Sequence, residues 1–118
     1  MNLANPIDVE QDEGATIVVM RGEHDLSTAD ELRERLDDVR GQRRPFVVDL
    51  TEVTFVDSAV LGVLIAAHDN AVADGVRVGF AVGSGRAVRK IVDLTGLDAV
   101  LPIADSRADA LRAVGLSG

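Results

Sequence analysis

The run Val47-Val48-Asp49-Leu50-Thr51-Glu52-Val53-Thr54-Phe55-Val56-Asp57-Ser58-Ala59-Val60-Leu61-Gly62 opens as a buried β-strand and passes a short polar turn at Thr51-Glu52. It resumes with a second apolar run and meets an Asp-Ser pair at the start of a long apolar helix. A hydroxyl at that point sits beside unpaired backbone N–H groups and the positive end of the helix dipole. Asp57 or Ser58 acting simply as a helix cap is worth about 1 kcal/mol. The same position also suits a phosphoryl group, whose charge of about −2 beside Asp57 and an apolar helix face would weaken an interface built there. The two readings are compatible, because a capping serine can also be a switch.

Upstream, Ile7 to Asp12 and the β-branched run Ala15-Thr16-Ile17-Val18-Val19-Met20-Arg21 read as a hairpin turning at Glu13-Gly14. Gly22-Glu23-His24-Asp25-Leu26 reads as a connecting loop. Ser27 or Thr28 is then expected to cap a helix, with Thr28-Ala29-Asp30-Glu31 in the capping-box pattern. Ala29, Leu32, Leu36 and Val39 form its apolar stripe, and Gly41 ends it. Phe46 to Leu50 is a short, nearly continuous apolar strand of the kind found inside a largely parallel sheet.

Downstream, a helix from Ser58 to about Asp74 is closed by Gly75. Its first half is apolar nearly all round, so it is buried on two sides or offers a face to a partner. A strand over Val76 to Val82, a Gly83-Ser84-Gly85 loop and a helix from Arg86 to Leu94 ending near Gly96 follow. Val100 to Ile103 reads as an edge strand on account of Pro102, and Ser106 to Val114 as a last helix capped by Asp105 or Ser106. The order β-β-α-β-α-β-α-β-α predicts an α/β fold with a mixed, largely parallel sheet of about five strands and about four helices. The 118 residues suit a single domain spanning 1–118.

Composition narrows the function. A formal net charge of −8 argues against a nucleic-acid surface, which needs clustered Lys and Arg, and favours a protein partner with a basic face. The absence of Cys removes disulfides, thiol catalysis and thiolate metal sites. Met1-Asn2-Leu3-Ala4-Asn5-Pro6 has neither the basic flank nor the apolar core of a signal peptide, and no apolar run approaches the ~20 residues of a spanning helix. A cytoplasmic protein with no membrane association is expected.

Catalytic candidates are thin. His24, read in a loop, and His68, read on a helix, lack metal-ligand spacing, and each reads as a surface or half-buried residue. No metal or cofactor is expected. Gly83-Ser84-Gly85-Arg86 matches neither a P-loop nor a dinucleotide fingerprint, and Ser58 lies in no Gly-x-Ser-x-Gly elbow. An enzyme is therefore not expected.

The run from Val48 to Ser58, followed by Leu61-Gly62, resembles the signature of the bacterial anti-sigma factor antagonists, which are STAS domains. Gly22-Glu23-His24-Asp25-Leu26-Ser27-Thr28-Ala29 resembles the family's Gly-Glu-Leu-Asp…Thr-Ala segment. Val88-Arg89-Lys90-Ile91-Val92-Asp93-Leu94-Thr95-Gly96-Leu97 resembles its penultimate helix and turn. The resemblance implies a small sheet with helices mostly on one face, and a regulator that works by partner switching. It implies that the unphosphorylated form binds an anti-sigma factor of kinase-like ATPase fold and so releases a sigma factor. Phosphorylation would end that complex, and a PP2C-type phosphatase would restore it.

On this resemblance Ser58 falls on the phosphoacceptor, and Asp25, Asp57, Ser58 and Leu61 fall in the partner-contact region. Two departures stand out. Ala59 and Val60 replace the usual second hydroxyl and glycine after the acceptor, placing a β-branched side chain in the first helical turn. His24 replaces an apolar residue. An alternative keeps the fold without phosphorylation, as a constitutive interaction module in a signalling scaffold or lipid-transport complex. A third reading is a small enzyme or nucleotide-binding domain using the Gly83-Ser84-Gly85 loop, where only Arg86 is placed to hold a phosphate. The apolar helix after Ser58 could pair with a second copy as readily as with a kinase, so a homodimer stays open.

Overall fold

The computed structural model describes residues 6–12, 14–83 and 85–115. The amino-terminal residues 1–5 lie outside these, as do Glu13 of the first turn and Ser84 of the glycine loop. Strands β1 (Ile7–Asp12) and β2 (Ala15–His24) form the expected antiparallel hairpin, with Asp12 opposite Ala15. There follow α1 (Leu26–Gly41), β3 (Phe46–Val56), α2 (Ser58–Ala73), β4 (Val78–Ala81) and α3 (Arg86–Thr95). A 3₁₀ turn over Leu97–Ala99 leads to β5 (Ile103–Ala104) and α4 (Arg107–Ala113). The strands lie in sequence order in one five-stranded sheet, and β2 to β5 are parallel.

Three helices cover one face. Val18 and Met20 of β2, Phe46, Val48 and Leu50 of β3 and Phe80 of β4 meet Leu32, Leu36 and Val39 of α1. Val60, Val63 and Leu64 of α2 and Val88 and Val92 of α3 complete this core. The other face buries Ile17, Val19, Val47 and Ala81 under Ala110, Leu111 and Val114, contributed by α4 and the turn after it. Burial on both faces is why the start of β3 reads as unbroken apolar sequence rather than as an alternation. Gly79 lets α4 approach β4: a Cβ there would stand 3.2 Å from the Ala110 carbonyl oxygen. Helix α2 closes at Gly75, whose φ of +72° is the left-handed geometry expected of it. Among the described residues no helix is long and apolar enough to cross a membrane.

Several boundaries differ from the sequence expectation, each for a local reason. Thr51-Glu52 is not a turn between two strands. Strand β3 runs unbroken over eleven residues and absorbs the polar pair as a bulge: β2 advances from Val19 to Arg21 while β3 advances from Asp49 to Glu52. The buried Asp49 carboxylate supports the bulge by accepting from the Thr51 N–H (2.9 Å) and hydroxyl (2.7 Å). Its other oxygen takes Arg107 Nε at 2.9 Å, which ties α4 to the sheet. Strand β4 is shorter than the Val76–Val82 expected, and the last strand falls on Ile103–Ala104 because Val100 sits just past the 3₁₀ turn. Pro102 precedes it at the sheet edge, as anticipated. Ser106 caps α4 by accepting the Asp109 N–H at 3.0 Å.

The segment 22–26 departs most. Strand β2 continues through Gly22 and Glu23 to His24, which pairs with Val56. Asp25, rather than Ser27 or Thr28, caps α1.

Candidate functional site

Because β2 and β3 are parallel, their chains leave the sheet side by side, and each turns directly into a helix through an aspartate. Asp25 follows His24 into α1, and Asp57 follows Val56 into α2. The Asp57 N–H donates to the His24 carbonyl at 3.3 Å, locking the two exits together. Asp57 then serves both helices. Its Oδ1 accepts the Val60 N–H of α2 at 3.0 Å, and its Oδ2 accepts the Leu26 N–H of α1 at 3.1 Å. One half-buried carboxylate thus joins two helix N-termini whose dipoles present positive ends at the same place.

Ser58 is the first residue of α2 and is exposed beside this junction. Asp25 is exposed as well, and its carboxylate accepts from the Ser27 N–H (2.8 Å) and hydroxyl (2.5 Å). These bonds from the Ser27 hydroxyl and amide hold Asp25 below the usual carboxylate range. Among the described residues no Lys or Arg forms an ion pair with Asp25 or Asp57. Asp25, Asp57 and Ser58 therefore come together in one acidic patch.

Leu61 sits one turn further along α2, half-buried against the core. Val60, the β-branched residue of the first helical turn, is fully buried, with its side chain turned into the core and only its amide at the junction. The residue missed was Leu26, a large apolar side chain 74% exposed at the first position of α1, directly beside Asp57. Its place in the Asp25-Leu26-Ser27-Thr28 run, immediately after the true cap, was the available signal.

His24 is neither in a loop nor at the surface. It is fully buried beneath the junction, with Nε2 2.9 Å from the Arg21 carbonyl and Nδ1 3.1 Å from the Thr28 hydroxyl. Burial holds its pKa below the ordinary imidazole value of 6.5, against the opposing pull of the Arg21 carbonyl, Glu31 and Asp25. The unfolded chain therefore binds this proton more readily than the folded one. Stability is complete above pH 6.5, falls as pH drops below it, and stops falling once His24 is protonated in the folded state. Denaturant melts between pH 7.5 and 5 should show this loss, and His24→Gln should flatten it. A slope unchanged in the variant would assign the loss elsewhere. His68, on α2, is half-buried as expected.

The glycine loop borders a separate cleft of ≈ 780 Å³ reached from Asp49, Glu52, Gly83, Arg89, Asp105 and Arg107. Two arginines, Arg89 and Arg107, line this cleft among the described residues, and both are engaged. Arg107 pairs with Asp49 and Glu10, and Arg89 with Asp105. Among the described lining residues, three carboxylates against two paired guanidiniums give a charge balance that disfavours the nucleotide reading. Among the described residues no group of three His, Asp or Glu side chains converges as a metal site.

Residues 6–110 match the STAS domain family. An anti-sigma F factor antagonist of Paenibacillus polymyxa is 31% identical over 113 residues, spanning 94% of each protein. The crystal structure of an anti-sigma factor antagonist from Mycobacterium paratuberculosis superimposes with a TM-score of 0.82 at 31% identity, covering 93% of both chains. The Bacillus protein SpoIIAA has been solved in two forms. The unphosphorylated form gives a TM-score of 0.67 at 15% identity (93% of this chain and 99% of that one). The phosphorylated form gives 0.64 at 17% identity (92% and 99%). At those identities SpoIIAA speaks for the fold alone. The chain belongs to the STAS domain family, among the anti-sigma factor antagonists.

Proposed function

We propose that this chain binds an anti-sigma factor of kinase-like ATPase fold in its unphosphorylated form, releasing a sigma factor, and that phosphorylation of Ser58 ends the complex. A PP2C-type phosphatase reverses the modification. The chain is a ligand and a kinase substrate rather than a catalyst. The observation that carries the reading is the position of Ser58: an exposed hydroxyl opening α2, with the capping work done by Asp57 rather than by the serine itself. Ser58 is thereby free to be modified without removing the cap of its own helix. Because Val60 is buried, the missing motif glycine leaves the outer side of the first turn open. That a protein of the same fold is known in both phosphorylated and unphosphorylated forms supports the same reading.

The test is affinity capture from cells of the source organism, with the intact chain as bait, followed by mass spectrometry of both bait and prey. The expected result is an ATPase of kinase-like fold among the retained proteins and phosphate on Ser58 in part of the bait. Retention of a non-ATPase scaffold by a bait unmodified at Ser58 would replace this reading with the constitutive adaptor.

A further inference from the structure

We propose that His24 is a positioning residue for the Ser58 switch: its protonation state is relayed through Thr28 and the backbone to the two helix N-termini flanking Ser58, making the presentation of that serine sensitive to pH. The relay follows from counting hydrogens. The Arg21 carbonyl can only accept, so Nε2 carries a proton in either state of the ring. The state of Nδ1 then decides what Thr28 does. When His24 is neutral, Nδ1 accepts the single hydroxyl proton of Thr28 across 3.1 Å, and the Asp25 carbonyl, 3.2 Å from the same oxygen, goes without it. When His24 is cationic, Nδ1–H donates to the Thr28 oxygen, and the hydroxyl proton turns to the Asp25 carbonyl. The cap residue of α1 therefore feels the change directly. The backbone of His24 also holds the Asp57 N–H, so the cap residue of α2 is one peptide away.

The charges around the ring make the two states competitive. From α1, Asp25 and Glu31 favour the cation. From the α2 side, the charged group at the junction is the Asp57 carboxylate, engaged by the Leu26 and Val60 amides, and the converging N-termini of both helices oppose the cation. From β3, the facing residues Val53 and Val56 are apolar and favour the neutral ring through desolvation. On β2, the Arg21 guanidinium is turned away into ion pairs with Asp8 and Glu52, and Glu23 is exposed.

Phosphate on Ser58 would add about −1.5 to −2 charge to the same junction, where no Lys or Arg pairs with the acids among the described residues. That charge favours protonated His24, and by reciprocity protonated His24 favours the phosphorylated state. Acid conditions then bias the chain toward its partner-free form. This consequence rests on the proposed role of Ser58. The hydrogen-bond relay itself does not.

The test is a nuclear magnetic resonance titration of the full, unmodified chain from pH 8 to 5. It follows the His24 and His68 ring nitrogens and the Leu26 and Val60 amides that donate to Asp57. Asp25, held below the usual carboxylate range, stays ionised throughout. Both amides are expected to move with the His24 midpoint in wild type. They should cease to do so in Thr28→Val, which keeps the ring and removes the hydroxyl, and regain the response in Thr28→Ser. In Ser58→Asp the His24 midpoint should rise. Amides that stay flat through the His24 titration, or that follow His68 instead, would overturn the relay. So would a His24 ring that remains neutral until the chain unfolds, or a midpoint unmoved by Ser58→Asp. A Ser58 that is never phosphorylated in cells would leave these titrations intact, so failure of the switch and failure of the relay are separable.

Discussion

Ser58→Asp is expected to weaken binding of the anti-sigma partner by about a hundredfold or more, while the variant melts within a few degrees of wild type. The two halves of this prediction have different causes. Within the fold, a carboxylate at the first position of α2 meets the positive end of the helix dipole, a favourable term of about 0.3–1 kcal/mol. Repulsion from Asp57 offsets part of it, so stability moves little. At the surface, Asp25 and Asp57 already place two carboxylates beside the exposed, apolar Leu26. A third fixed negative charge must be desolvated when the partner closes over that patch. Like charges brought together at an interface cost several kcal/mol, and a hundredfold loss corresponds to about 2.7 kcal/mol. Ser58→Ala removes only a hydroxyl and should bind within a few-fold of wild type, and under the proposed switch it would escape release by phosphorylation. Calorimetric titration of the purified partner with all three proteins, beside thermal melts, reads both halves. Equal affinity for all three would mean that Ser58 lies outside the contact, and the switch would have to be sought elsewhere.

The elements of this fold are legible in the chain wherever local physics controls them. The long apolar run after Asp57 is α2, Gly75 closes it, and the hairpin and the last two helices lie where their caps and glycines put them. What escaped is non-local. Thr51-Glu52 looks like a turn because turns use such residues, yet here pairing with β2 carries β3 straight through them, and the Asp49–Thr51 bonds settle into a bulge instead. Gly22-Glu23-His24-Asp25 has the polarity of a loop, but pairing with β3 carries β2 onward to His24 and seals the imidazole inside. Thr28, read as a capping residue, turns its hydroxyl inward to that ring. The site was half visible: Ser58 and both aspartates could be picked out, but not that Asp57 reaches back 31 residues to the Leu26 amide. Only parallel pairing of β2 with β3 brings those two exits together, and pairing partners are not written in local sequence.

That long-range bond leads to the largest stability effect expected at the site. Asp57→Ala should destabilise the protein by about 2–3 kcal/mol, which for a domain of this size lowers the melting temperature by roughly 8–12 °C. The loss has two parts: the cap on Val60, worth about 1 kcal/mol, and the charge-assisted bond from Leu26, worth somewhat more. Asp25→Ala removes only bonds from Ser27, in an exposed setting, and should cost less. Leu26→Pro isolates the second part. Proline is well tolerated at the first position of a helix, and Asp25 already has the extended backbone that a residue before proline requires (φ −139°, ψ −164°). The substitution deletes the Leu26 N–H and leaves the Val60 cap in place. In the wild-type background it should cost about 1.5 kcal/mol, and in the Asp57→Ala background almost nothing, because the acceptor has already gone. Fully additive losses in this cycle would mean that Asp57 caps α2 alone. The two helix starts would then be held together by the sheet beneath them, and a phosphate on Ser58 would have no direct mechanical link to α1.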